Sequence, residues 1–251
     1  STKTIPAEDV PWEKRKRFEQ DRLALVIVWS LEEPARVGDV ALVTSEAILG
    51  RGPANADDPA RRLSFLRQRP GSNETQGPLG GSNISRHQLT VRPRDDGSLE
   101  VENHGRIPLL FRGTEVKKCV AKPGDTIIVK NALVLLVTMR PPELPKGGGF
   151  PPFAFGEADA FGIVGESSVT WKLREALAFA AASPQHVLVQ GPSGSGKELA
   201  ARTIHGLSSR SGQPIVTRNA ATFPEGLVDA ELFGNAKNYP NSGSPERLGL
   251  I

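Results

Sequence analysis

The run at residues 191–197, Gly-Pro-Ser-Gly-Ser-Gly-Lys, sets Gly191, Gly194 and Gly196 ahead of a lysine. Glycine at these places lets the backbone bend until successive N–H groups face one point, and a helix starting there adds its positive end. That ring of donors suits phosphate oxygens, with Ser195 in the loop and Lys197 reaching the β and γ phosphates of a nucleotide as a mobile cation. The pattern G-x-x-x-x-G-K carries weight only between a strand and a helix. Here the apolar residues 186–190 precede it as a predicted strand, and Lys197–Leu207 follows as a predicted helix. A glycine-rich turn without a ligand would need neither the lysine nor that context.

These positions have to be held by a folded unit. Residues 167–182 carry Val169, Leu173, Leu177 and Ala180 at helical spacing, and 214–218 reads as a further strand. Helix, strand, loop, helix, strand is an α/β order. The N-terminal half reads differently. Between about residues 23 and 140 come short runs rich in Val, Ile, Leu and Thr, among them ALVIVW, HQLTVRP, SLEVEN, TIIVKN and ALVLLVTM. Turn-forming residues separate them, at Gly38-Asp39, 94–98, His104-Gly105 and 123–125, which is the spacing of an all-β sandwich. Residues 50–85, rich in Gly, Asn and Ser, are expected as mobile surface loops at one end of that sandwich. Prolines and consecutive glycines at 141–160 read as an interdomain linker. The expected organisation is an extension at 1–22, a sandwich at 23–140, the linker, and an α/β unit at 161–251.

Composition narrows the class. The chain has 251 residues, room for two cores, and a net charge of +3 whose basic residues are scattered apart from a cluster at 14–17, so no nucleic-acid face stands out. That cluster reads as a solvated helical turn. The single cysteine, Cys119, excludes a disulfide framework and a multi-cysteine metal site, and fits a buried thiol in a reducing cytoplasm. The longest apolar run, 132–139, is too short to cross a bilayer, so no membrane contact is expected. The chain starts at Ser1 and reaches Ile251 inside a pattern that reads as continuing, as in part of a longer protein.

The residue after Lys197 is Glu198, where the general pattern places Ser or Thr to touch magnesium. Together with GIVGES at 162–167, GPSGSGKELAARTIH at 191–205 and RNAATFPEGLVDAELFG at 218–234, it resembles the AAA+ domain of bacterial sigma-54-dependent activators. The resemblance covers about 161–251. It implies ATP with Mg2+, with Ile163, Val164 and Gly165 beside the adenine, Gly194 to Leu199 around the phosphates, and Asn219 as the switch residue that restrains a catalytic glutamate. It also implies a homo-oligomeric ring for the full protein, sigma-54 holoenzyme as a partner, and DNA contact through a domain outside this chain. Two departures stand out. The family's GAFTGA loop is replaced by Asn238-Tyr-Pro-Asn-Ser-Gly243, which argues against engagement of sigma-54. The acidic pair and arginine fingers needed for hydrolysis do not occur in this sequence, so no catalytic residue is assigned and binding alone is expected.

In the β region, Leu49-Gly50-Arg51 and Ile84-Ser85-Arg86-His87-Gln88 resemble the forkhead-associated (FHA) phosphothreonine-binding domain over about 24–139. The resemblance implies that Arg51 forks toward phosphate oxygens, Ser85 donates one more hydrogen bond, and Arg86 assists. Gln88 takes the position of the family's bracing histidine. Pro108-Leu109 falls where an Asn-Gly pair is usual, with Asn103 displaced upstream. Two functions stay open. One is an ATP-binding transcriptional regulator in which a phosphothreonine-containing partner controls the AAA+ domain; the other is a phosphopeptide-binding adaptor whose nucleotide domain does not remodel sigma-54. A metabolic P-loop kinase fits poorly, because Glu198 and the ELFG segment belong to the activator pattern.

Overall fold

The computed structural model describes residues 21–53, 62–144, 149–219, 228–239 and 242–249. The basic cluster at 14–17, the tip of the long loop at 54–61, residues 145–148 of the proline- and glycine-rich stretch, and Pro240 and Asn241 lie outside them.

The N-terminal half is an all-β sandwich of two antiparallel sheets. The larger runs β5 (Ser72–Thr75), β4 (Leu66–Arg69), β2 (Val40–Leu42), β1 (Arg22–Ser30), β12 (Leu133–Arg140), β11 (Thr126–Val129), β8 (Leu109–Phe111), β9 (Thr114–Val116) from edge to edge. The smaller runs β10 (Lys118–Ala121), β7 (Leu99–Asn103), β6 (Leu89–Pro93), β3 (Ala47–Leu49). Period-2 alternation sets the inner face: Leu133, Leu135 and Val137 of β12 and Leu99 and Val101 of β7 are fully buried, against Leu25, Ile27, Ile127 and Val129. Cys119 of β10 joins this core, and burial pushes its thiol up to about 11.

The long loop expected at 50–85 is not all loop, since β4 and β5 form a hairpin within it. Its strands read Leu-Arg-Gln-Arg and Ser-Asn-Glu-Thr, with no apolar alternation to announce them. β5 is a fully exposed edge strand, and the buried residue of β4 is polar: Gln68 donates through Nε2 to the carbonyls of Pro141 and Pro142 and accepts from Arg140 Nε. Strand pairing here rests on hydrogen bonds, which a hydropathy pattern does not display.

The C-terminal region begins with a docked segment. Phe155 lies under the Arg67 guanidinium, 4.8 Å from its ring centre, and against Gly38, where an added Cβ would sit 3.0 Å from the ring. Helix α1 (Ser168–Ala181) is capped by Ser167, whose side chain accepts from the Thr170 amide at 3.1 Å. It buries Trp171, Arg174, Leu177 and Ala181, while Val169 and Leu173, expected on the inner stripe, are 73% and 45% exposed. The turn of the helix is set by Arg174, which enters the interior to pair with Asp159 at 2.8 Å. Helix α2 (Lys197–Leu207) packs on α1 and has the predicted bounds. The strands expected at 186–190 and 214–218 are not formed; neither stretch has regular secondary structure, and Leu188 is 80% exposed. A helix satisfies its own backbone, whereas a strand needs a neighbour, and no described strand pairs with either stretch. A short helix α3 (Val228–Phe233) leads into a minimal hairpin of β13 (Gly234–Asn235) and β14 (Arg247–Leu248).

Candidate functional site

The glycine-rich loop turns tightly before α2. Gly194 and Gly196 lie in the left-handed region, at φ 75° and 82°, and an added Cβ at Gly191 would meet Ser195 Oγ at 2.6 Å. Gly196 caps the helix without a side-chain bond, so the first-turn amides have no intrahelical acceptor and face the loop's concave side. Lys197 Nζ is folded back onto the Gly191 and Pro192 carbonyls at 3.0 and 2.8 Å, within reach of an anion placed in the loop. Glu198 pairs with Arg202 at 2.7 Å on the exposed helix face.

A cavity of about 370 Å³ opens beside this loop, within the size range of small-ligand sites. Gly194, Ser195, Gly196, Lys197 and Leu199 form one side, and Ile163 and Val164 form part of the other. Residues some thirty positions apart in sequence are thereby brought together. Leu173 and Val189, which sequence reasoning did not single out, complete the apolar lining. Gly165, Gly191 and Glu198, although neighbours of lining residues in sequence, do not line the cavity; Gly191 and Glu198 are exposed, and Asn219 lies on exposed chain outside the lining. An apolar wall opposite a donor-rich loop has the form needed for a purine and its phosphates. Glu198 supplies no hydroxyl for a metal ion, so Mg2+ would be held chiefly by phosphate oxygens and water.

The Ile163 to Gly165 wall has its own support. Asp159 accepts from the Phe161 and Ile163 amides through Oδ1 and pairs with Arg174 through Oδ2. Arg174, 1% exposed, also donates to the Gly165 and Ile163 carbonyls at 2.8 and 2.9 Å. A buried guanidinium with a carboxylate and two carbonyls has the hydrogen bonding that a desolvated charge requires.

At the end of the sandwich, Gly50 brings β3 against the loop that carries Ser85. A Cβ there would stand 2.1 Å from the Arg86 carbonyl, so only glycine allows the approach. Arg51 follows with its amide donating to Ser85 O at 3.1 Å, which places Arg51, Ser85 and Arg86 side by side. Ser85 Oγ accepts from the Arg106 amide at 3.2 Å, adding an exposed arginine that the sequence did not single out. Gln88 is the buried brace: its Oε1 accepts from the Ser85 amide, and its Nε2 donates to Asn103 Oδ1 and Ile107 O. Asn103 is buried in the same network, and its Nδ2 donates to Ile107 O. Leu109 is a core residue. The neighbouring loop is held by Glu33, which accepts from the Gly80 and Gly81 amides, and by Glu32, which accepts from Ser82 Oγ and the Asn83 amide. Those bonds, Ser82 first, hold the Glu32 carboxyl below the usual carboxylate range.

After ELFG the chain closes into a small loop on β13 and β14. Asn235 Nδ2 donates to the Tyr239 and Pro245 carbonyls, and the Asn238 amide donates to Ser244 O.

Residues 163–251 match the family described as Sigma-54 interaction domain. The chain is 45% identical over 89 residues to the transcriptional regulator VasH of Vibrio cholerae, covering 36% of this chain and 17% of that protein. It is 44% identical over 92 residues to the transcriptional regulatory protein ZraR of Escherichia coli, covering 37% and 21%. With the Nif-specific regulatory protein of Azorhizobium caulinodans it shares 44% identity over 130 residues, covering 51% and 20%. The chain thus spans 17–21% of the length of these relatives. Among solved structures, the FHA domain of CT664 from Chlamydia trachomatis aligns at 15% identity and TM-score 0.34, over 47% of this chain and 96% of that one. The FHA1 domain of yeast Rad53 aligns at 13% and 0.30, over 51% and 83%. Among the described residues no helix is long and apolar enough to cross a membrane.

Proposed function

We propose, for a chain whose residues 163–251 are a sigma-54 interaction domain behind an all-β sandwich, that it is the sensing and nucleotide-binding part of a transcriptional regulator. ATP sits in the cavity between Ile163-Val164 and the glycine loop, and the sandwich binds phosphothreonine segments of a partner protein. The observation that carries the nucleotide reading is the convergence of an apolar wall with the Gly194 to Lys197 turn at one cavity. Helix-start amides and Lys197 offer the anion site, and Ile163, Val164 and Leu173 offer a dry face for a base. For the sandwich, the support is Arg51 and Ser85 locked side by side by Gly50 and Gln88. Ring assembly, DNA contact and sigma-54 contact belong to the longer protein in this reading.

The test is titration of a fluorescent ATP analogue into the chain. Lys197→Ala removes a charge-assisted contact and is expected to weaken binding by about 10- to 100-fold. Equal affinity in the two proteins would remove Lys197 from the site. A phosphothreonine peptide array, read with and without Arg51→Ala, tests the sandwich; peptide binding that survives the substitution would overturn its assignment.

One observation favours the adaptor form of the same proposal. Asn235 Nδ2 donates to the Tyr239 and Pro245 carbonyls, and Asn238, at φ 65°, accepts from the Gly243 amide, in a loop whose sequence lacks the GAFTGA pattern. A nucleotide domain carrying that loop binds ATP without engaging sigma-54.

A further inference from the structure

We propose that Glu166 is a positioning residue through which the β-sandwich holds the Ile163 to Gly165 wall of the nucleotide cavity; this rests on that cavity being the nucleotide site. Glu166 directly follows Gly165, and its side chain is 7% exposed. Its Oε1 accepts from Arg69 Nη2 of β4 at 2.7 Å and from the Gly156 amide at 3.0 Å, and its Oε2 accepts from Trp171 Nε1 at 3.0 Å. Its carbonyl accepts from Arg140 Nη2 of β12 at 3.1 Å. Two separate strands of the sandwich therefore grip one residue at the edge of the cavity wall.

Both arginines are themselves fixed. Arg69 donates to the Phe153 carbonyl and stacks 4.4 Å from that ring's centre, and Arg140, buried in the sandwich, is oriented by Gln68. Arg174 of α1 holds the Ile163 and Gly165 carbonyls, and stacks with Arg69 on the Phe153 and Trp171 rings. The wall is thus held both by a helix cation and by the sandwich clamp. Gly162 and Gly165, at φ 90° and 128°, flank it with backbone that swings once either anchor is lost. Neither Arg69 nor Arg140 lines the nucleotide cavity, so any effect of theirs on nucleotide affinity is indirect, and Glu166 is the residue that both of them hold.

The same chain carrying Arg69→Met is compared with wild type and with Arg69→Lys in the ATP-analogue titration, alongside thermal unfolding. Loss of the clamp is expected to raise Kd about 2- to 30-fold, with Arg69→Lys restoring part of the affinity. A purely structural contact would lower the melting temperature and leave Kd of the folded protein unchanged, which overturns the proposal. Hydrogen exchange on the unmutated chain is the second measurement, independent of whether the variant folds. Saturating nucleotide should slow exchange in the β4–β5 hairpin as well as at 163–166, since linkage is reciprocal; protection confined to 163–166 and the glycine loop overturns it. If Lys197→Ala weakens binding and Arg69→Met does not, the coupling fails and the nucleotide site stands. No binding by the intact chain removes both.

Discussion

The sandwich and the C-terminal region solve the same problem with different completeness. In the sandwich, strands find partners on both sides except at the edges, and the inner faces bury Leu25, Leu89, Leu99, Leu133 and Leu135 at 0% exposure. In the C-terminal region the two helices form and pack, yet residues 186–190 join no described strand, and Leu188, Val216 and Val187 are 80%, 61% and 45% exposed. Polar anchors take the place of a continuous apolar core there: Arg174 with Asp159, and Glu166 with Arg69 and Trp171. The difference teaches that this glycine loop and its helix are held by local backbone geometry and a few charged groups, with no described strand paired beside them.

The contrast is most sharply broken by deleting one leucine from each region. Leu25→Ala, in the sandwich core, should lower stability by about 2–5 kcal/mol, whereas Leu188→Ala should stay within about 0.5 kcal/mol. Denaturant unfolding followed by circular dichroism checks both, and a large loss at Leu188 would mean that residues 186–190 are covered in solution. A smaller effect is expected at Gln88→Ala, which takes away the acceptor of the Ser85 amide and leaves the Ile107 carbonyl with Asn103 Nδ2 alone, at about 1–3 kcal/mol. This substitution should also weaken any phosphopeptide bound at Arg51, measured by calorimetry on the folded variant; undiminished affinity would confine Gln88 to the core. A smaller loss than at Gln88 belongs to α1: Ser167→Ala removes the cap on the Thr170 amide and should cost about 1 kcal/mol. Amide exchange at the first turn should rise before that of Leu177, and uniform exchange along the helix would contradict a local cap.

The five apolar runs named for the N-terminal half all contribute to strands, because alternation on a half-buried sheet writes itself into the sequence. The hairpin of β4 and β5 did not, since its buried residue is a hydrogen-bonded glutamine and its partner strand is exposed. β9 and β10 were similarly hidden, with Lys117, Lys118 and Lys122 masking the Cys119 and Ala121 alternation. For the candidate sites, the left-handed turn at Gly194 and Gly196 and the start of α2 at Lys197 were legible, because contiguous residues set them, whereas the strand expected before the loop was not formed. Arg106, Leu173 and Val189 carry no signature of their own and enter only through proximity.

What the sequence determined by itself was what short-range geometry sets: the glycines of the loop, the bounds of α2, and the alternating strands around one buried cysteine. These follow from steric limits on φ and from side-chain periodicity, which act over a few residues. Only the tertiary structure decided which face of α1 turns inward, that Glu166 is gripped by Arg69 and Arg140, and that the segments at 186–190 and 214–218 stay unpaired. A buried charge is oriented by partners distant in the chain, and a strand's hydrogen bonds lie wholly with its neighbours. Neither preference can be expressed within one stretch of sequence.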